Sequence, residues 1–155
     1  MALIESIKKH EGFMAKSYDD HLGNPTIGYG TLLPLKDEEK KRIMASRYVS
    51  GNIQQEIEPI NEKEGEILLN LRLEEYKNAI VKAKPLILLL PNEKADVIYE
   101  MCYQMGVVGV LGFLNMWKYL EKRDYFKASQ AMLGSKWATQ TPKRARELAD
   151  IMAAK

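Results

Sequence analysis

The chain has 155 residues, of which 46% are hydrophobic and 28% charged, and its formal net charge is +2. This composition is typical of a globular protein and excludes a disordered chain. The length favours one compact domain or two tightly joined lobes. The charge is uneven, because residues 114–155 contain nine Lys and Arg against four Asp and Glu. This basic end suits an anionic partner such as a wall polymer, a nucleic acid or a membrane surface, although a solvated helix face is the simpler explanation.

Cysteine and histidine are scarce. The single cysteine, Cys102, lies in an apolar run, so it is predicted to be a buried, inert thiol that forms no internal disulfide. With two histidines and one cysteine there is no metal-site spacing, and we expect no metal and no cofactor. We see no secretory signal at the N-terminus. The longest apolar run, residues 86–90, is far shorter than the roughly 20 residues of a membrane span. We predict that it is a buried segment leading into a helix.

The first third of the chain changes from helix to strands and back. Residues 2–11 carry apolar side chains at helical spacing, and Gly12 is predicted to end this first helix. Residues 14–34 combine short runs of Tyr, Ile and Thr with glycine turns, which predicts two or three short strands. A charged helical pattern follows over residues 37–49 and is predicted to stop near Gly51.

A long helix is predicted over about residues 61–84. Asn61 and Glu64 have the spacing of a capping box at its start. Its apolar stripe consists of Leu69, Leu73, Tyr76 and Ile80. At about 1.5 Å per residue the helix is roughly 30–35 Å long, enough to join two lobes.

Helical patterns continue to the end of the chain. Residues 92–105 are apolar on most sides, as expected of a central core helix. Glycines break residues 107–113 into short pieces, and two further helices are predicted over residues 114–121 and 125–133.

The last helix is predicted to begin at a capping threonine, Thr141, followed by Pro142. Its apolar face consists of Ala145, Leu148, Ala149 and Met152. The predicted fold class is therefore α+β, in a single domain over residues 1–155. A small lobe over about residues 12–60 is joined by the long helix to a larger all-helical lobe over about residues 85–155.

Glu11, Asp20 and Thr26 are the candidate catalytic residues. A helix followed by a small hairpin can bring these three side chains to one cleft wall. Two carboxylates and a hydroxyl that holds a water are the groups needed to cleave a glycosidic bond. The simpler explanations are a solvated glutamate at a helix end and an aspartate that binds the amides of its own turn.

Several blocks of sequence sharpen this hypothesis, because together they resemble one family. The blocks are Glu11, Asp20 and Thr26 with residues 27–30 (IGYG), residues 103–106 (YQMG), 109–113 (GVLGF), 135–137 (SKW) and 140–145 (QTPKRA). Over essentially its whole length the chain resembles the phage-type lysozymes, the endolysins of tailed phages, and most closely those of the T-even phages.

The resemblance implies a lysozyme-like fold in which the first helix packs on the second lobe. It implies a muramidase that inverts the anomeric centre while cleaving the β-1,4 bond between N-acetylmuramic acid and N-acetylglucosamine, and so lyses bacteria. Glu11 would be the general acid, Asp20 would orient the attacking water, and Thr26 would hold the same water.

The resemblance also implies how substrate is bound. Leu32 and Tyr103 match positions that line the sugar-binding cleft, with Gly30 and Gln104 beside them, although Tyr103 as a core aromatic is an equal alternative. Arg144 matches an arginine that reaches from the far lobe toward the general acid.

Other positions depart from the family pattern or point to the core. Trp137 is predicted to pack inside the helical lobe and to support the neighbouring arginine. Thr31 stands where the family has a histidine in an ion pair. Met116 and Ala131 replace polar substrate contacts, so substrate fine specificity is open.

The expected partner is the glycan strand of peptidoglycan, bound by a monomer with no nucleic acid and no membrane span. Synthesis in the host cytoplasm and release to the wall through a separate pore-forming protein are expected from the resemblance. Three alternatives stay open. One is a lytic transglycosylase, the second is a basic helix over residues 142–155 that binds membranes or nucleic acid, and the third is a catalytically dead wall-binding module.

Overall fold

The computed structural model describes residues 2–155, and the predicted α+β class is confirmed. The elements in chain order are α1 (Leu3–Glu11), β1 (Met14–Asp19), β2 (Pro25–Gly28), β3 (Thr31–Leu32), α2 (Asp37–Ser50), α3 (Glu62–Ala83), a short 3-10 helix (Pro85–Leu89), α4 (Asn92–Met105), α5 (Val107–Leu111), α6 (Leu114–Glu121), α7 (Tyr125–Leu133), α8 (Lys136–Gln140) and α9 (Pro142–Ala153). The chain divides into two compact units, one up to Glu75 and the other from Tyr76 to Lys155, and α3 contributes to both. The predicted packing of the first helix on the second lobe stays a prediction.

The first unit is built around an antiparallel sheet in the order β1-β2-β3. Thr26 pairs with Leu32, and Ile27 pairs with Thr31. Ile27 is wholly buried, so alternation along β2 turns its side chain to the core and that of Thr26 to the opposite face. The core of this unit includes a cluster of Ile27, Leu35, Ile43, Ile60 and Leu68.

Two buried ion pairs join helices within the first unit. Arg47 of α2 donates from Nε to Glu64 of α3 at 2.7 Å, and Arg72 of α3 donates to Glu39 of α2 at 2.5 Å. Arg47 also donates to backbone carbonyl oxygens of residues 54, 56, 57 and 59. One side chain therefore binds four carbonyl groups along the irregular connector between α2 and α3.

The predicted capping box at the start of α3 is confirmed. The backbone N–H of Asn61 donates to Glu64 Oε1 at 3.0 Å, and the backbone N–H of Glu64 donates to Asn61 Oδ1 at 2.8 Å. Two N–H groups that have no partner within the helix are thereby satisfied.

The second unit is a helical bundle with one large core. The α4 helix has buried residues on most of its faces, as predicted, and α9 buries the apolar face predicted for it. Lys94 of α4 is also buried, and its ammonium group donates to the carbonyl oxygens of Ile151, Met152 and Ala154 at 2.5–3.1 Å. A lysine therefore caps the last turn of α9, where a cation is favoured by the helix dipole.

The prediction of a buried segment over residues 86–90 is wrong in part. Ile87 and Leu90 are buried, but Leu88 and Leu89 are 69% and 70% exposed. The segment forms a 3-10 helix, which has about three residues per turn. With that period, side chains three apart face the core together and the residues between them face solvent.

The start of the last helix also differs from the prediction. Pro142 is the first residue of α9, but the Thr141 side chain does not cap it. Its hydroxyl instead donates to the carbonyl oxygen of Trp137 at 3.1 Å. The short helix α8, which the sequence analysis missed, is capped by Ser135, whose hydroxyl accepts from the backbone N–H of Ala138.

Candidate active site

Glu11 is the last residue of α1, and its side chain lies against the turn between β2 and β3. Gly30 in that turn has φ +76°, and a Cβ built on it would lie 2.6 Å from Glu11 Oε1. No side chain at residue 30 is compatible with this position of the carboxylate. Gly30, predicted to adjoin the substrate, therefore gives the Glu11 carboxylate its place on the hairpin.

Asp20 lies in the turn between β1 and β2, and its carboxylate holds that turn together. Oδ1 accepts from the backbone N–H groups of Leu22 at 2.9 Å and Asn24 at 2.8 Å. These hydrogen bonds, with that from the Asn24 amide first, lower the pKa of Asp20 below its ordinary value. The simpler explanation, an aspartate that binds amides of its own turn, thus holds, and the second carboxylate oxygen, Oδ2, accepts from the side-chain amide of Asn24 at 3.4 Å.

Thr26 is only 3% exposed, and its hydroxyl donates to the carbonyl oxygen of Asn24 at 2.8 Å. Because the hydroxyl proton is used in this bond, the Thr26 oxygen can only accept a hydrogen bond from a water. Asn24 contacts Asp20 through its amide and Thr26 through its carbonyl. One residue therefore fixes both predicted water-binding groups.

Tyr18, which the sequence analysis did not single out, lies among these groups. Burial raises the pKa of its phenol above the ordinary value, and the negative charges of Glu11 and Asp20 raise it further. The charges of both carboxylates therefore act on this one phenol. In the sheet, Tyr18 pairs with Thr26 and Thr26 pairs with Leu32. The three side chains form a row across one face, with Leu32 43% exposed at its edge.

Tyr103 and Gln104 lie at the end of α4 in the second unit. Tyr103 is 6% exposed and meets the ring of Tyr76 edge-on, with 6.0 Å between centroids. Gln104 Oε1 accepts from Trp137 Nε1 at 2.8 Å. Trp137 packs edge-on against Phe113 in the core, as predicted. Burial favours the core role for Tyr103, and a substrate contact for Tyr103 or Gln104 stays a prediction.

Arg144 is buried in α9, and its Nε donates to Glu100 Oε2 at 3.0 Å. Glu100 is 1% exposed and was missed by the sequence analysis, although a carboxylate within the largely apolar pattern of α4 was a usable signal. A buried carboxylate requires a partner of this kind. The predicted reach of Arg144 toward Glu11 stays a prediction.

Met116 and Ala131 border a groove of the second unit, together with Phe113, Asn115 and Ser135. Met116 itself is wholly buried. The polar groups that the resemblance led us to look for at these two positions are therefore replaced by a core side chain and a methyl group.

The remaining chemistry of the chain is sparse. Cys102 is wholly buried, as predicted, and burial raises the pKa of its thiol to about 12, which disfavours the reactive thiolate. Within residues 2–155 no group of three or more His, Cys, Asp or Glu side chains is placed to hold a metal. In the same part of the chain, every helix is too short or too polar to cross a bilayer.

Comparison with known proteins identifies the family. The family described as phage lysozyme matches residues 8–151, which is nearly the whole chain. This chain belongs to the phage lysozyme family. The predicted class of enzyme, a glycoside hydrolase of the lysozyme type, is thereby confirmed.

Curated relatives of this lysozyme-family chain include proteins of two kinds. It is 29% identical to the pre-baseplate central spike protein Gp5 of Enterobacteria phage T4, over 98% of this chain but 28% of that protein. It is 27% and 28% identical to the probable T4-type lysozymes 2 and 1 of Dictyostelium discoideum, over 97% of this chain and 92% and 93% of theirs. The chain thus spans just over a quarter of the spike protein and nearly all of the two lysozymes.

Proposed function

We propose that this protein is an endolysin-type muramidase that hydrolyses the β-1,4 bond between N-acetylmuramic acid and N-acetylglucosamine in peptidoglycan. The observation that carries the proposal is that Glu11, Asp20 and Thr26 all border one three-stranded sheet: Glu11 lies against the β2–β3 turn, Asp20 holds the β1–β2 turn, and Thr26 lies in β2. Membership of the phage lysozyme family supports the same substrate.

In the proposed reaction, Glu11 donates its proton to the oxygen of the leaving sugar as the bond from that oxygen to the anomeric carbon breaks. A water attacks the same carbon from the opposite face, and Asp20 takes up its proton. The water donates one hydrogen bond to Thr26 and one to Asp20, which turns its free lone pair toward the sugar. The product is inverted, as expected when a water fits between sugar and base, with carboxylates about 6.5–9.5 Å apart.

The other predicted site residues have supporting roles in this proposal. Leu32 and Tyr103 would line the sugar-binding surface, and Gly30 and Gln104 would adjoin them. Arg144, held by Glu100 in the second unit, would stabilise the charge of the general acid. We also propose that the protein acts as a monomer, is made in the host cytoplasm, and reaches the wall through a separate pore-forming protein.

The decisive test is a turbidity assay on purified peptidoglycan. We expect Glu11→Gln, which keeps the shape of the side chain and removes its proton, to lose at least about 99% of activity, because general acid catalysis contributes roughly 10²–10⁴-fold. Glu74→Gln, an exposed change on α3, is the matched control and should act like the parent. Activity of Glu11→Gln above a tenth of the parent would refute the proposal.

The alternative of a lytic transglycosylase is tested by whether an oxygen atom from water enters the product. Hydrolysis in water enriched in ¹⁸O places one heavy oxygen on the new reducing end of N-acetylmuramic acid. A transglycosylase instead closes an anhydro ring with the sugar's own hydroxyl and incorporates none. Mass spectrometry of the digest decides between them, and anhydro ends would exclude the roles proposed for Asp20 and Thr26.

A non-enzymatic lytic activity of the basic segment, residues 142–155, is tested with cells. If Glu11→Gln lysed outer-membrane-permeabilised bacteria as fast as the parent, lysis would not depend on cleavage. A wall-binding module without activity would instead leave peptidoglycan intact in both proteins.

A further inference from the structure

The pairing of β1 with β2 is irregular just before the turn that holds Asp20. Met14 pairs with Gly28 and Tyr18 pairs with Thr26, so four residues of β1 span a distance covered by two of β2. Bulges of this kind are frequent beside active sites, where they re-aim a side chain.

The irregular segment is held by the connector that follows α2. The backbone N–H of Ser17 donates to Glu58 Oε1 at 2.6 Å, and the backbone N–H of Ile60 donates to the carbonyl oxygen of Ala15 at 2.9 Å. Both contacts use residues of the bulge itself. The bulge is therefore a fixed part of the sheet.

The bulge decides which side chain stands opposite Thr26. If the pairing of Met14 with Gly28 continued regularly, Lys16 would occupy that position; the extra residues bring Tyr18 there instead. Lysine would place a cation beside the carboxylates, whereas tyrosine places an uncharged hydroxyl there. Since burial and the two carboxylates keep the Tyr18 phenol protonated, it remains a hydrogen-bond donor across the range in which carboxylates act.

An uncharged hydrogen-bond donor such as the Tyr18 hydroxyl suits an uncharged substrate such as a sugar ring. A sugar ring offers hydroxyl and ring oxygens that accept hydrogen bonds, while Asp20 and Thr26, as used above, offer acceptors to water. Tyr18 is only partly buried, and it shares its sheet face with Thr26 and with Leu32 at the exposed edge. The row thus combines a donor, a water-binding acceptor and an apolar contact.

We propose that Tyr18 is a substrate-positioning residue, which donates its phenolic hydrogen to an oxygen of the sugar at the scissile bond and holds that sugar against the Tyr18–Thr26–Leu32 row. The inference rests on the proposed function, since it assumes that the occupant of this face is a glycan. It adds a residue that the resemblance did not assign.

The test removes the hydroxyl and keeps the ring. In a Glu11→Gln background, which prevents turnover, Tyr18→Phe should weaken binding of soluble peptidoglycan glycan strands about tenfold, as expected for one lost hydrogen bond. Titration calorimetry measures this directly. Tyr119→Phe, at another partly buried tyrosine, is the matched control and should bind like its parent.

Steady-state kinetics of the Tyr18→Phe variant, with Glu11 intact, give a second test. Because the hydroxyl would contact substrate before and during bond cleavage, Tyr18→Phe should raise KM about tenfold and leave kcat within about twofold. Unchanged binding and unchanged KM would overturn the inference, as would a fall in thermal stability without a kinetic effect. If the parent cleaves peptidoglycan and Glu11→Gln does not, either result leaves the proposed function standing, so the two failures are distinguishable.

Discussion

At residue 30 the absence of a side chain determines where Glu11, the proposed general acid, can lie. A Cβ at Gly30 would overlap the Glu11 carboxylate, with 2.6 Å to Oε1 and 2.9 Å to the carboxyl carbon. Gly30→Ala should therefore displace Glu11 and lower kcat about a hundredfold, the effect of roughly 1 Å of misplacement. Release of reducing ends from peptidoglycan measures the loss.

The chain offers a control with the same backbone strain. Gly51 ends α2 with φ +79°, and a Cβ there would meet nothing within 4 Å. Both alanine variants should lose about 1–2 kcal/mol of stability, because each places a side chain at positive φ. Only Gly30→Ala should lose activity. Equal activity in the two variants would show that the contact with Glu11 does not matter.

The Asp20 carboxylate should make the stability of the fold depend on pH. Its pKa is lowered in the folded state by the amides of Asn24 and Leu22, relative to about 3.9 in an unfolded chain. The ionised form therefore stabilises the fold above about pH 4, and this contribution is lost as the pH falls through the lower folded pKa. The difference in Tm between the parent and Asp20→Asn should be constant from pH 5 to 7 and shrink at lower pH. Thermal unfolding across pH 2–7 measures it.

Asp19→Asn, whose carboxylate makes none of these bonds to the turn, should show no such change, and a constant difference for Asp20→Asn would contradict the prediction.

Among the elements, the connector between α2 and α3 depends most on a single partner. Arg47 binds both the Glu64 carboxylate and four carbonyl oxygens of the connector. Burial raises the pKa of Glu64, but its hydrogen bonds with Arg47 and Asn61 lower it below the ordinary value overall. Arg47→Met would leave that carboxylate buried without its cation, so it should lower the free energy of unfolding by roughly 3–5 kcal/mol.

Urea unfolding measures this loss, and proteolysis localises it. The connector contains Glu56, which is followed by Ile57, so a glutamate-specific protease should cut Arg47→Met there much faster than the parent. Arg42→Met, at an exposed position of the same helix, is the control. Cleavage at the same rate in the parent and Arg47→Met would show that the connector is held by other contacts.

Whether an element could be predicted from the sequence depends on whether its signals are local. Long helices were predictable because their apolar period and end residues are local signals, as the Asn61–Glu64 box of α3 illustrates. Five-residue α8 was not, because so few residues establish no period. The mixed exposure of the segment before α4 follows from its 3-10 geometry, which an apolar run does not reveal.

The residues of the candidate site also differ in whether local sequence signals could predict them. Glu11, Asp20 and Thr26 were proposed from the order of blocks in the sequence, which the resemblance made specific, and their catalytic roles stay predictions. Tyr18 was missed because its position depends on a bulge, and a regular strand would have put Lys16 in its place. Glu100 was missed because its partner, Arg144, lies 44 residues away in sequence. Pairings that depend on register or on distant chain are set by tertiary structure.

At the scale of the whole molecule, charge is separated along the chain. Residues 114–155 carry a net charge of +5, so the rest of the chain carries −3. Lys118 and Lys122 are exposed at the end of α6, where they can meet an anionic polymer without losing their hydration. The overall charge of +2 therefore understates how strongly residues 114–155 would be attracted to an anionic polymer.

This separation predicts how salt affects wall lysis. Raising the ionic strength from about 0.01 to 0.15 M shortens the screening length from roughly 30 to 8 Å, so lysis by the parent should slow. Reversing Lys118 and Lys122 to glutamate should slow lysis at low salt and flatten the salt dependence. Reversing Lys40 and Lys41 of α2 changes the net charge equally, but these residues lie in the first unit, so this variant should keep the parent's salt dependence.

If both pairs flattened the salt dependence equally, net charge alone would govern wall binding. A flat profile for the parent would show that the basic segment takes no part. Lysis rates on purified walls at several salt concentrations separate these cases.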